Sequence, residues 1–234
     1  MSELFSIQLQ NRQQQGRDGV WLDLPTTTEQ VQAALRQIGI SSDNPQGLFI
    51  SGYFAEEEKR FAIPYNMVLA SNVDELNFLA SRLETLSTWE RAELNAALQA
   101  PQSELFSIGR ITDFPENVDY YVHLPDVHGP AQLGDYYLNR SGMVDMPEEW
   151  KGGIDTAQFG RYVAQQEQGA FTQYGYLVKS GDEWQKVHEG QPVPEEYRVL
   201  SFPVPEVMRD AANIPPPVQP ETEPQKVIPI ILNG

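Results

Sequence analysis

Hydrophobic and polar positions change period several times along the chain. In "SELFSIQLQ" (residues 2–10), Phe5, Ile7 and Leu9 alternate with polar neighbours, which predicts a strand. A polar loop with Asp18-Gly19 as its turn signal leads to a second strand, "VWLDLP" (20–25). Thr26-Thr27-Thr28-Glu29 has capping-box spacing. It opens a predicted helix with Val31, Ala34, Leu35 and Ile38 on one face and Gly39 as its stop. "GLFISGYF" (47–54) reads as a strand, "AEEEKR" as a charged turn and "FAIPYNMVLAS" (61–71) as a connector. In "SNVDELNFLASRLETL", Leu76, Leu79, Ala80 and Leu83 recur at helical spacing behind Ser71 and Asp74 as the capping pair. In "STWERAELNAALQA", Ser87 and Glu90 form a further box, and Trp89, Ala92 and Ala96 form the predicted buried stripe.

"SELFSI" returns at 103–108 in a different rhythm. Leu105, Ile108, Ile111 and Phe114 recur every three residues, a helical or turn-like period. The same six letters in two periodicities are read as coincidence, because short segments take their structure from context. A looser recurrence is stronger. "VWLDLP" and "ALRQIG" precede "YYVHLP" and "YLNRSG" by 100 and 103 residues, each a strand ending in Leu-Pro followed by a helix closed by glycine. Beyond it come an acidic loop "MVDMPEEWKGG" and a helix from Asp155, read as its N-cap. Phe159, Tyr162 and Phe171 are expected in the core. A hairpin is expected to turn at Ser180-Gly181-Asp182, with one more strand in "EYRVLSF". Eight prolines in 203–229 predict polyproline II or disorder.

Composition narrows the function more than it narrows the fold. Formal net charge is −17, from 33 acids and 16 bases. The excess is spread along the chain: 13 acids against 7 bases in residues 1–100, 11 against 5 in 101–180 and 9 against 4 in 181–234. Such a surface repels nucleic acid and membranes and attracts basic partners. No cysteine is present, so disulfides and thiolate chemistry are excluded. With no signal-peptide pattern at the N-terminus, a cytoplasmic location is expected. His123, His128 and His188 lack metal-ligand spacing and read as surface histidines. Glu56-Glu57-Glu58 and Glu148-Glu149 read as solvated acids, since a catalytic acid needs an apolar pocket. No phosphate-loop, dinucleotide or nucleophile-elbow motif occurs, so the chain reads as a non-enzyme without cofactor or metal.

Ile154-Asp155, Phe159-Gly160-Arg161, Gly169, Phe171 and Gly175-Tyr176 form a pattern that resembles the C-terminal signature of ArdA-type antirestriction proteins. "DLPTTTEQVQAALRQIGI", "VDELNFLASRLETLSTWERAELNAAL" and "YYVHLP…LGDYYLNRSG" are similar to that family's earlier blocks. The ordered series covers about residues 4–178. The resemblance implies a DNA mimic from mobile genetic elements. It would occupy the DNA-binding cleft of type I restriction-modification enzymes as an elongated homodimer. The charge fits independently: two chains at −17 carry the charge of about 58 Å of duplex, at one charge per ~1.7 Å.

The resulting expectation is an elongated α+β protein of three small domains. These are an α+β domain at 1–63, a helical domain at 64–102 and an α+β domain at 103–202, followed by a Pro-rich tail at 203–234. The partner-binding acids are expected to be Glu84, Glu90, Glu93, Glu116, Asp119, Asp126, Asp135, Asp145, Glu148 and Glu149, with Glu90 and Glu93 one helical turn apart on one face. The partner would be the DNA-binding subunits of a type I enzyme. The alternative is an acidic interaction module that binds another basic DNA-binding protein.

Overall fold

The computed structural model describes residues 4–14, 18–41, 45–56 and 60–200. Contacts gather Met1–Ser201 into one unit and Phe202–Gly234 into a second. The Pro-rich run from Pro203 and the acids Glu57 and Glu58 lie outside the described residues.

Helices and two antiparallel sheets make up the first unit, an α+β mixture. The first sheet has the order β2-β1-β3, with β1 Phe5–Asn11, β2 Val20–Leu24 and β3 Leu48–Phe54. Alternation in β1 buries every second residue, so Phe5, Ile7 and Leu9 form one wall of the core. Between Gln8 and Leu9 the register with β3 slips by one residue. Ser51 is left unpaired at this bulge, and its hydroxyl donates to the side chain of Gln8 at 3.0 Å.

Helix α1, Thr28–Gln37, packs on β2. Its capping box is Thr27 with Gln30, one residue later than the expected Thr26–Glu29 pair. Residues 61–71 are more than a connector, since Tyr65–Leu69 form a short helix, α2, against β3. Helix α3, Val73–Glu84, buries Leu76, Leu79, Ala80 and Leu83 as expected. Its cap is Asn72 with Glu75 instead of Ser71 with Asp74, and this leaves the Asp74 carboxylate available elsewhere. Helix α4, Thr88–Gln99, carries the expected Ser87–Glu90 box. Its buried face is rotated from the expected stripe. Trp89 is 55% exposed, and Glu93, Leu94, Ala96 and Ala97 point inward.

The second "SELFSI" leads into a short helix, α5 Ile108–Thr112, with Leu105, Ile108, Ile111 and Phe114 buried. In the first copy Phe5, Ser6 and Ile7 lie in β1, so these three letters take two conformations. The second sheet has the order β4-β6-β5, with β4 Tyr121–Leu124, β5 Ala170–Thr172 and β6 Gly175–Lys179. The hairpin turns at Gln173-Tyr174, between β5 and β6, and not at Ser180–Asp182. Short strands on either side of Gly175 make this the earlier and tighter turn. Among the described residues "EYRVLSF" forms no strand. Glu195–Tyr197 is a single 3-10 turn, and the Tyr197 carbonyl and Val199 N–H, which a strand would pair with a neighbouring strand, bind the side chains of Asn77 and Asp74.

Helices α6 (Pro130–Asn139) and α8 (Thr156–Glu167) cover this sheet, and α7 (Glu148–Lys151) lies in the acidic loop between them. Asp155 caps α8 as expected, accepting from the Gln158 N–H at 2.9 Å. Helices α6 and α8 cross so closely that only glycine fits. A Cβ on Gly134 would stand 1.9 Å from the Thr156 carbonyl oxygen, and one on Gly160 1.8 Å from that of Pro130. Tyr176, Leu133 and Val127 are the buried centre, with Phe171 and Val163 packed against them. Phe159 and Phe171 are half-buried, whereas Tyr162 is exposed on the outer face of α8.

Candidate partner-binding surface

Five of the ten expected acids are exposed: Asp119, Asp126, Asp145, Glu148 and Glu149. They come from the turn before β4, the turn after it, and the loop and helix at 145–149. Glu148 is paired with Lys151 at 2.9 Å but stays open to solvent. Asp119, Asp126, Asp145 and Glu149 make no hydrogen bond or ion pair among the described residues. The same segment exposes two large apolar side chains, Met143 and Trp150.

The other five acids are partly or fully engaged within the fold. Glu84 is half-buried. Glu116 is paired with Arg82 in a half-buried site. Asp135 accepts from the Arg140 guanidinium at 3.1 Å and from Asn139 at 2.8 Å, and Arg140 holds its carboxyl below the usual range. Glu90 accepts from the backbone N–H of Ser87 at 2.7 Å, and the Ser87 contacts hold its pKa down.

Glu93 overturns its expected role. It is 4% exposed, and its Oε1 has no hydrogen-bond partner among the described residues. Burial, and then the charges of Asp119 and Glu90, push its pKa up to about 8, so at neutral pH it is mostly uncharged. Glu90 and Glu93 therefore do not present two charges one helical turn apart. A clue lies in the sequence itself. Glu93 stands three and four residues before Ala96 and Ala97, on the face of α4 that is buried.

His123 is also displaced from its expected surface position. It is buried in β4, with its Nε2–H donating to the Tyr174 carbonyl at 2.8 Å and Trp89 packed over its ring at 5.6 Å. Burial lowers its pKa, opposed by the Tyr174 carbonyl. No group of three or more His, Asp or Glu side chains among the described residues is arranged to hold a metal ion.

Several carboxylates bind inward without any signal in the sequence. Asp113 is completely buried and accepts from the backbone N–H groups of His188 and Glu189 at 2.6 and 3.2 Å. Asp74 accepts from those of Val199 and Leu200 at 2.7 and 2.8 Å. Glu104 pairs with Lys179 and Arg110, and the Lys179 bond leads in lowering its pKa. Nothing local marks these roles, since every partner except Arg110 is more than 70 residues away. Asp182, Glu183, Glu195 and Glu196 are further exposed acids near the end of the described chain.

No helix among the described residues is long and apolar enough to cross a membrane. No curated protein matches the sequence. A family model described as antirestriction protein (ArdA) matches residues 15–178, more than two thirds of the chain. The matched span runs from β2 to the penultimate residue of β6, with β1 before it, and includes the Gly134–Gly160 helix crossing and the exposed acids of 119–149. The chain belongs to the ArdA family of antirestriction proteins.

Proposed function

We propose that this protein is a DNA mimic that occupies the DNA-binding cleft of a type I restriction-modification enzyme and so blocks restriction. The observation that carries the reading is the set Asp119, Asp126, Asp145 and Glu149. These are ionisable, exposed and unengaged among the described residues, on a chain of the ArdA family. A cleft built for phosphates offers Lys and Arg in excess, and carboxylates on a folded frame can replace the phosphates as counter-charges. The working form in this reading is a cytoplasmic homodimer. Its organisation is an α+β domain to residue 63, a helical domain to 102 and an α+β domain to 202.

Not every acid of the expected set belongs to this contact surface. Glu93 does not, because it is buried and mostly neutral. Glu90, Glu116 and Asp135 each share their charge with an internal partner, which weakens their reach.

Competition between the full chain and duplex DNA for a purified type I enzyme tests the proposal. Displacement of DNA at low salt that weakens steeply as salt rises is expected. No displacement at any salt, with tight binding to some other basic DNA-binding protein, would favour the acidic-module alternative and defeat the mimic.

A further inference from the structure

Residues 180–200 lie beyond the segment that the family model matches, yet they are bound at many points to residues within it. At one end, Asn117 makes a reciprocal pair with the backbone of Gln185, donating at 2.9 Å and accepting at 2.7 Å. Asp113 binds the N–H groups of His188 and Glu189, and Arg110 donates to Glu189 at 3.0 Å. Trp184 packs edge-on against Tyr120. At the other end, Asp74 binds the N–H groups of Val199 and Leu200. Asn77 donates to the Tyr197 carbonyl at 3.0 Å while accepting from Thr26 N–H at 2.7 Å, just beyond β2. The Phe78 ring contacts both His188 and Tyr197.

The first set of anchors belongs to α5 and the turns after it, and the second to α3. Helices α3 and α5 also touch directly. A cavity of about 990 Å³ remains between them and the strap, lined by Phe78, Ile108, His188 and Val193 among others. A seam with that much open volume is not held by close apolar packing alone. Here it is held largely by side-chain acceptors on backbone N–H groups, with Asp113 fully buried and Asp74 half-buried. A buried N–H that loses its acceptor is strongly destabilising, so each anchor has a large effect.

We infer that residues 180–200 are a brace that fixes α3 against α5, with Asp74 and Asp113 as its positioning residues. The exposed acids of 119–149 and those that the brace itself carries, Asp182, Glu183, Glu195 and Glu196, are thereby held in one rigid array. The consequence for binding rests on the proposed mimic function; the mechanical claim does not.

Hydrogen exchange on the full chain tests the mechanical claim, comparing wild type with Asp113→Asn and, independently, Asp74→Ala, since one Asp74 oxygen accepts both of its N–H groups and an asparagine would keep it. Peptides covering 185–200 are expected to exchange at least tenfold faster. Those of α3 and α5 should loosen with them, while β1 and β3 keep wild-type protection. Faster exchange confined to 185–200, or no change, overturns the brace. If Asp113→Asn unfolds the whole chain, Asp74→Ala and Asn117→Ala decide the question by the same criteria. In competition for a type I enzyme, brace variants should inhibit with a shallower salt dependence, because the two groups of acids no longer engage together. Weaker inhibition with an unchanged salt slope means only a smaller folded fraction and overturns the positioning role. A wild-type chain that never competes counts against the mimic alone, and exchange still decides the brace.

Discussion

Residues 74–113 and residues 119–149 carry similar numbers of carboxylates and use them in opposite ways. In the first stretch Asp74 and Asp113 bind distant backbone N–H groups, Glu75 and Glu90 cap helices, Glu104 is tied to Lys179 and Arg110, and Glu93 is buried. In the second, Asp135 is paired with Arg140 and Glu148 with Lys151, while Asp119, Asp126, Asp145 and Glu149 face solvent. Formal net charge counts both populations alike. Of the two, only the second leaves carboxylates exposed without a hydrogen bond or ion pair among the described residues. The first commits its acceptors to the frame, since an ion engaged by fixed N–H groups or cations is a poor recruit for an outside cation.

The contrast is broken most severely by emptying the inward population. Asp113→Ala orphans two part-buried N–H groups and should lower unfolding free energy by roughly 2 to 6 kcal/mol, at about 1–3 kcal/mol each, in denaturant titration. A loss under about 1 kcal/mol would show that water replaces the carboxylate without penalty.

Next in size is the pH response of Glu93. Its folded pKa, about 8, lies above the ordinary glutamate value of 4.5. The folded chain therefore binds this proton more tightly than the unfolded chain between those limits. The contribution is fully present below about pH 4.5 and is lost as pH rises towards 8. Wild type should lose roughly 2 to 4 kcal/mol from this group between about pH 5 and 8, at about 1.4 kcal/mol for each tenfold difference in proton affinity between the folded and unfolded chains. Glu93→Gln should lack that loss. Parallel curves for the two proteins would place Glu93 in a polar, wetted setting after all.

A smaller effect belongs to the start of α4, within the first stretch. Ser87→Ala removes the hydroxyl that accepts from the Glu90 N–H and should lower stability by about 1 kcal/mol in thermal or denaturant unfolding. The outward population gives the smallest stability change. Converting Asp126, Asp145 and Glu149 together to their amides should alter stability by no more than about 0.5 kcal/mol. The same triple variant should weaken competition with DNA at least tenfold at low salt. Wild-type inhibition from that variant would remove these acids from the contact surface.

Much of the local structure is legible along the chain. The period of two in Phe5, Ile7 and Leu9 and the helical spacing of Leu76, Leu79, Ala80 and Leu83 report which face is buried, and the structure buries those faces. The Ser87–Glu90 box and the Asp155 cap are visible because their partners are three residues apart. The two copies of "SELFSI" differ because their neighbours differ. One continues an alternating run into β1, and the other precedes the triplet spacing that buries Ile108, Ile111 and Phe114. Legibility fails for Trp89 and Tyr162, whose aromatic character predicts burial. Helix rotation leaves both exposed.

Sequence by itself determined the alternation of strands and helices, the family and the negative sign of any partner-facing charge. Each depends on residue type and short spacing. Tertiary structure alone decided which carboxylates are free. Burial, a backbone N–H from residue 188 or 199, or an arginine across a seam fixes whether an acid is ionised and available. Those partners are brought together only by folding, across separations that no local pattern encodes.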